Sequence, residues 1–234
     1  MFDLFWQSYN YWVRIVIWEF GAWKTLSTMA YMLKQKQRYK DNIIIFSNIL
    51  LDFVDFPFNS ISDLRFIFEL LINYINKTNK KEFLPTERQI LLVIDELHLY
   101  FPSSSWWSFI KFSKEDLILL TQCRKRNIEI IWITQELWQI SKRFRVLSPY
   151  VRKYYKGLGF YRWYKDFYLK TLDSTDLLNP EVADIVGGWF LRGWWFPWRW
   201  YSEFPKRLSY FVVGSQDFLT PKKKLEIQRK MFIL

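Results

Sequence analysis

Short runs of uninterrupted apolar residues alternate along the chain with longer segments whose apolar residues recur every three or four positions. Arg14–Ile17 with Val13, Asn42–Phe46, Gln89–Ile94 and Ile128–Thr134 are of the first kind, rich in Ile and Val, and predict buried strands. Lys24–Gln37 has Leu26, Met29, Ala30 and Leu33 at helical spacing, and Ile61–Ile75 is amphipathic, with Asp63 and Glu69 assigned to its polar side. Glu115–Arg126 and Leu137–Phe144 also read as helices. Strands apolar on both faces that alternate with helices predict an α/β fold, a mainly parallel sheet covered by helices. From Tyr150 the pattern changes: Val151–Tyr155 and Tyr164–Lys170 alternate like solvent-edged strands, which predicts a hairpin added at the sheet edge. Residues 187–201 are dense in Gly and Trp without a period, and the basic stretch from Pro221 predicts a helix through Met231. The expected organisation is a core over residues 1–185, hairpin included, followed by a Gly/Trp-rich loop and basic tail over 186–234.

Composition narrows the class. No apolar run reaches the ~18–20 residues of a membrane-spanning helix, because Asp3, Arg14 and Glu19 interrupt the first segment and Asp52 and Asp55 the second. The N-terminus lacks the pattern of a secretory signal, and the single Cys123 excludes an internal disulfide and fits a reducing cytoplasm. A formal net charge of +11 suggests a polyanionic partner such as nucleic acid or an acidic membrane face, although a solvated basic surface explains it equally well.

Between the first strand and the first helix lies Trp18-Glu19-Phe20-Gly21-Ala22-Trp23-Lys24-Thr25. The position and the Lys-Thr ending are those of a phosphate-binding loop, G-x-x-x-x-G-K-[ST]. In such a loop the backbone N–H groups and the helix N-terminus hold phosphate oxygens, the Lys reaches the β- and γ-phosphates, and the Ser/Thr hydroxyl binds Mg²⁺. Here both defining glycines are written as Trp, and an indole at 23 would crowd the pocket a phosphate must enter. Either the nucleotide site is dead or the letters mislead.

The second reading is favoured. Some bacterial lineages read UGA as glycine and others as tryptophan, so translation with the wrong table writes Trp for Gly. The chain has 14 Trp and only 7 Gly, and its use of Lys, Asn, Ile, Phe and Tyr fits an AT-rich genome. Were every Trp a Gly, glycine would rise to about 9% of the chain, near the usual share. An aromatic-rich protein whose loop matches by chance is the alternative.

The strand Ile90-Leu91-Leu92-Val93-Ile94 ends in Asp95-Glu96. The first carboxylate suits the Mg²⁺ shell and the second a general base on water, in the manner of P-loop enzymes. An ordinary strand followed by an acidic turn is the competing reading of this motif alone. Thr134-Gln135 closes the fourth strand, where a polar side chain could contact the γ-phosphate or attacking water; a helix cap is the other reading of Thr134.

Taken together, Trp18–Thr25, Ile94-Asp95-Glu96-Leu97-His98 with Tyr100-Phe101-Pro102, and Cys123-Arg124-Lys125-Arg126 before Ile131-Trp132-Ile133-Thr134-Gln135 resemble the HerA/FtsK-type P-loop ATPases. Within these they are closest to the zonular occludens toxin (Zot)-like branch, over roughly residues 10–150. The resemblance implies ATP and Mg²⁺ as ligands and an extra strand between the loop strand and the acidic strand. It also implies a homo-oligomeric ring that moves or helps export DNA, and an arginine acting across subunits, for which Arg143, Arg145 and Arg152 are candidates. On that reading Lys24 and the loop from Trp18 to Thr25 hold phosphate, Thr25 and Asp95 the metal, and Glu96 and Gln135 the attacking water. The chain departs from the phage assembly proteins in lacking a membrane span, which leaves a membrane-associated partner as the export alternative. A non-catalytic scaffold with a decayed site is the rival from another class.

His98, the single histidine, has no Cys or His companions at ligand spacing and suits a structural or relay role beside Glu96. Cys123 reads as a buried small residue, and Lys222, Lys223 and Lys224 as solvated or phosphate-contacting.

Overall fold

The computed structural model describes residues 13–18, 24–79, 89–100, 121–140, 142, 145, 148–156, 162–171, 174–191, 209–210 and 219–232. Its elements are β1 (Val13–Trp18), α1 (Lys24–Tyr39), β2 (Ile43–Ser47), β3 (Ile49–Leu50), β4 (Phe56–Pro57), α2 (Ile61–Asn79) and β5 (Gln89–Ile94). There follow α3 (Leu97–Tyr100), β6 (Ile128–Thr134), β7 (Tyr150–Lys156), β8 (Arg162–Leu169), β9 (Ala183–Leu191), β10 (Ser209–Tyr210) and α4 (Pro221–Phe232).

Eight strands form one sheet in the order β4-β2-β5-β6-β1-β7-β8-β9, while β10 pairs with β3. From β4 through β7 all neighbours are parallel, and β8 and β9 add antiparallel. The expected edge hairpin is therefore β7–β8, attached to the sheet through β1. The expected extra strand is β6, which lies between β1 and β5.

Every residue of β2, β5 and β6 is buried, and the two-residue period of a strand divides them between two cores. Ile44, Phe46, Ile90, Leu92, Ile94, Ile130 and Trp132 face the helix α2 (Leu64, Ile67, Phe68, Leu71) and Ile227, Met231 and Phe232 of α4. Ile43, Ile45, Leu91, Val93, Ile131 and Ile133 face Met29, Ala30, Tyr31 and Met32 of α1. A polar knot fastens α1 to the sheet. The Tyr31 hydroxyl donates to the Glu129 carboxylate at 2.6 and 2.8 Å, and Arg14 pairs with it at 2.9 Å. Burial raises the Glu129 pKa, opposed by Arg14 and by the Tyr31 hydrogen bond.

Several local expectations are corrected. Asp63 is not on a polar face. It is fully buried in the first turn of α2, where Ser60 Oγ caps its N–H at 3.0 Å and its own Oδ1 accepts the Leu219 N–H at 3.1 Å. Glu69 is on the exposed face, paired with Arg65 one turn earlier. Residues 187–191, expected without regular structure, complete β9 because β8 supplies the ladder. Of the helix expected over Glu115–Arg126, Thr121 and Gln122 are instead in a turn and Cys123–Arg126 is a 3₁₀ turn, while residues 115–120 lie outside the described residues. Leu137–Gln139 is likewise 3₁₀. The helix α4 starts at Pro221, suited to a first helical position, and packs on α2 with the Phe232 and Tyr74 rings 6.0 Å apart. Among the described residues no helix is long and apolar enough to cross a membrane.

Candidate functional site

Parallel strands put their C-terminal ends on one side of the sheet, and ligands of such folds bind outside those ends where the strand order reverses. Here that place is the end of β1, with β6 on one side and β7 on the other. Thr134, the last residue of β6, pairs in register with Ile17, one residue before Trp18. On its other side β6 carries β5, whose last residue, Ile94, is followed by Asp95. The fold thus brings the start of the 18–25 segment, Asp95-Glu96 and Thr134-Gln135 to three neighbouring strand ends. Residues 19–23 and the side chains of Trp18, Lys24 and Thr25 lie outside what is described, except that Lys24 begins α1 as the motif requires.

The acidic turn is well defined. Asp95 is 4% exposed, and its Oδ1 accepts the Glu96 N–H at 2.9 Å. Glu96 is half-buried with φ 51°, a left-handed conformation disfavoured for a residue with a Cβ. Its carbonyl then accepts the Leu99 N–H at 2.9 Å and starts α3. His98 Nδ1 lies 3.5 Å from Glu96 Oε2 and 3.5 Å from Thr134 Oγ1. The histidine thus lies between the ends of β5 and β6. Thr134 Oγ1 also reaches Gln139 Oε1 at 3.2 Å, and Gln139 accepts the Glu136 N–H at 3.1 Å, so the segment after β6 is held by its own turn. Gln135 is half-buried between them.

Sequence reasoning missed Asn48. Its Nδ2 donates to the Asp95 carbonyl and its Oδ1 accepts the Asp95 N–H, both at 2.7 Å. Nδ2 is also 3.4 Å from the Tyr100 hydroxyl, which donates to the Asn59 carbonyl at 3.2 Å. Burial pushes the Tyr100 pKa up to about 12, so the phenol stays a donor. Only the position of Asn48, one residue beyond a strand, offered a signal.

Of the arginine candidates, Arg143 lies outside the described residues and Arg145 is buried. Arg152 is also buried, bidentate to Asp166 across the β7–β8 ladder at 2.6 and 2.7 Å, with its guanidinium 4.1 Å over the Tyr164 ring. Its guanidinium is thus engaged within the chain. Cys123 is buried, which lifts its thiol to about 12. Lys222 and Lys223 are exposed, and Lys224 lies 5.3 Å over the Phe66 ring. No group of three or more His, Cys, Asp or Glu that could hold a metal occurs among the described residues.

A mainly parallel sheet covered by helices, a helix that opens at Lys24 six positions after the β1 strand ends, an interposed strand and a neighbouring strand followed by a carboxylate pair define the P-loop NTPase fold. Within that class the chain belongs to the zonular occludens toxin (Zot) family, whose model matches residues 13–188. It is similar to the N-terminal domain of zonular occludens toxin from Neisseria meningitidis, at 16% identity over 75% of this chain and 93% of that one, TM-score 0.48. It is similar also to B204, the DNA-packaging ATPase from Sulfolobus Turreted Icosahedral Virus, at 16% identity over 66% and 91% of the two chains, TM-score 0.42. No curated protein matches. The strand order and the family match, not these distant likenesses, define the fold.

Proposed function

We propose that the protein is an Mg²⁺-dependent ATPase that works on DNA as a homo-oligomeric ring. The observation that carries the hydrolytic part is the convergence of Asp95-Glu96, Thr134-Gln135 and the end of β1 at three adjacent strand ends. In this reading the amides of residues 18–25 and Lys24 bind the phosphates. Asp95, a buried carboxylate at the strand end, and the Thr25 hydroxyl are hard oxygen donors of the kind Mg²⁺ takes. An ion held there would supply charge neutralisation to the phosphates. Glu96 accepts a proton from the attacking water, and Gln135 orients that water or the γ-phosphate. His98 holds the Glu96 carboxylate between the two strand ends. The loop requires glycine at 18 and 23, which the UGA reading supplies.

Support for DNA is coarser: the +11 charge and the exposed Lys222 and Lys223. The packaging role printed for B204 belongs to that protein, and a ring that handles DNA is its analogue here. An export ATPase docked on a membrane-associated partner uses the same site. If Trp18 and Trp23 are genuine, the protein is a scaffold that keeps the fold.

Replacing Glu96 by Gln tests the reading. Turnover is expected to fall by about 100-fold or more while affinity for a non-hydrolysable ATP analogue stays within a fewfold. Equal turnover in E96Q and parent sinks the assignment.

A further inference from the structure

We infer that Asn48 is a positioning residue for the general base, setting Glu96 through the backbone rather than through its side chain. The inference rests on the ATPase reading above.

Glu96 holds φ 51°. A non-glycine residue stays in that region only when its surroundings impose it, against a preference of roughly 1–3 kcal/mol. The φ of Glu96 is a rotation relative to the peptide group that joins it to Asp95. The carbonyl of that peptide is the Asp95 oxygen, which receives Asn48 Nδ2 at 2.7 Å, and its N–H is the Glu96 donor to Asp95 Oδ1 at 2.9 Å. Asn48 Oδ1 takes the Asp95 N–H at 2.7 Å as well, so one amide grips the peptide on each side of the Asp95 Cα. With both planes fixed, the direction in which Glu96 leaves the turn is fixed too.

Asn48 is suited to this task. It is 6% exposed, so its two bonds are not exchanged for water. It follows β2, the neighbour of β5, and Ser47 pairs with Val93, which puts Asn48 level with the strand end it grips. Ile49–Leu50 immediately beyond it pairs with Ser209–Tyr210 of β10, and Ser47 Oγ accepts the Ile49 N–H at 3.0 Å. The residue is thus fastened on both sides. Neither Asp nor a hydrophobic side chain can make both bonds: a carboxylate accepts the Asp95 N–H but opposes its carbonyl.

The test uses full-length protein carrying whatever residues peptide sequencing finds at 18 and 23. Asn48→Ala, with Asn48→Asp as the second variant should Ala not fold, is compared with Tyr100→Phe. The latter removes the outer hydroxyl but leaves both bonds to Asp95. Displacing a reacting group by about 1 Å is worth on the order of 100-fold in rate. Expected for Asn48→Ala is a kcat at least about tenfold lower, with KM and ATP-analogue affinity within about threefold. Hydrogen exchange in the peptide 89–100 speeds up in the same variant, while Tyr100→Phe keeps kcat. The inference is overturned by kcat within about threefold of parent, by unchanged exchange, or by an equal loss in Tyr100→Phe, which would mark the bracket as merely structural. A parent without turnover overturns it too, but faster exchange in Asn48→Ala would then show that the ATPase reading failed and not the grip.

Discussion

Replacing Trp132 by Gly is expected to remove most of the stability of the fold. Trp132 sits in β6, the strand between β1 and β5, paired with Ile15 on one side and Ile94 on the other. It is fully buried and among the largest such side chains. Its indole lies in the core beneath α2 and α4. Truncating a buried Phe or Trp to Ala costs about 3–5 kcal/mol, cavity included, and glycine in a strand interior adds roughly 0.5–1 kcal/mol. The sum, about 3.5–6 kcal/mol, approaches the total of about 5–15 kcal/mol that holds an ordinary domain together. Urea denaturation of Trp132→Gly against parent, followed by far-UV circular dichroism, measures it. A loss below about 2 kcal/mol would refute the reasoning, because the neighbouring helices would have had to close over the space.

The pair Arg152–Asp166 locks β7 to β8. Asp166→Ala strands a buried guanidinium and is expected to destabilise by about 3–5 kcal/mol in chemical denaturation, whereas Arg152→Met with Asp166→Leu stays near neutral; a loss under about 1 kcal/mol for Asp166→Ala would refute this. Asp55 accepts from Lys230, the Ile45 N–H and Lys36, which together outweigh burial and lower its pKa. A folded pKa below the unfolded one means stability that is full above the unfolded value, about 3.9, and lost as pH falls through the folded value. Asp55→Asn should therefore flatten the acid end of a stability-against-pH curve; a curve of unchanged slope there would remove Asp55 from the account.

The strands β5 and β6 coincide with their sequence-based bounds because each is a run of residues buried on both faces and ended by a polar pair, Asp95-Glu96 and Gln135-Glu136. Helices α1 and α2 run beyond the bounds expected for them because no glycine or proline stops them, and their last turns are polar. What escaped the sequence is long-range. Asp63 reads as a solvent-facing charge until Leu219, 156 residues later, donates to it. β9 is carried by ladder bonds to β8 that Gly187 and Gly188 make without side chains to announce them. Asn48 is one polar residue after a strand, and only the pairing of β2 with β5 aims it at Asp95. The acidic pair after β5 was legible in the sequence; what fixes the geometry of its turn was not.

The same packing decides how far the glycine reading of UGA extends. If the codon table alone set the letters, all 14 tryptophans would be equally suspect. Energetics separates them. A loop that surrounds phosphate needs glycine at 18 and 23, whereas position 132 fills a closed core and would lose about 3.5–6 kcal/mol as glycine. Trp138, 59% exposed in a 3₁₀ turn, is under neither demand. Mass-spectrometric sequencing of protein from its native cells is therefore expected to find glycine at 18 and 23 in the peptide Ile15–Lys24, and tryptophan at 132. Glycine at all three would keep the ATPase and break the packing argument. Tryptophan at 18 and 23 would remove the recoding and with it the phosphate loop, leaving a Zot-family fold that serves as a scaffold. The two questions are thus answered by different residues of one experiment.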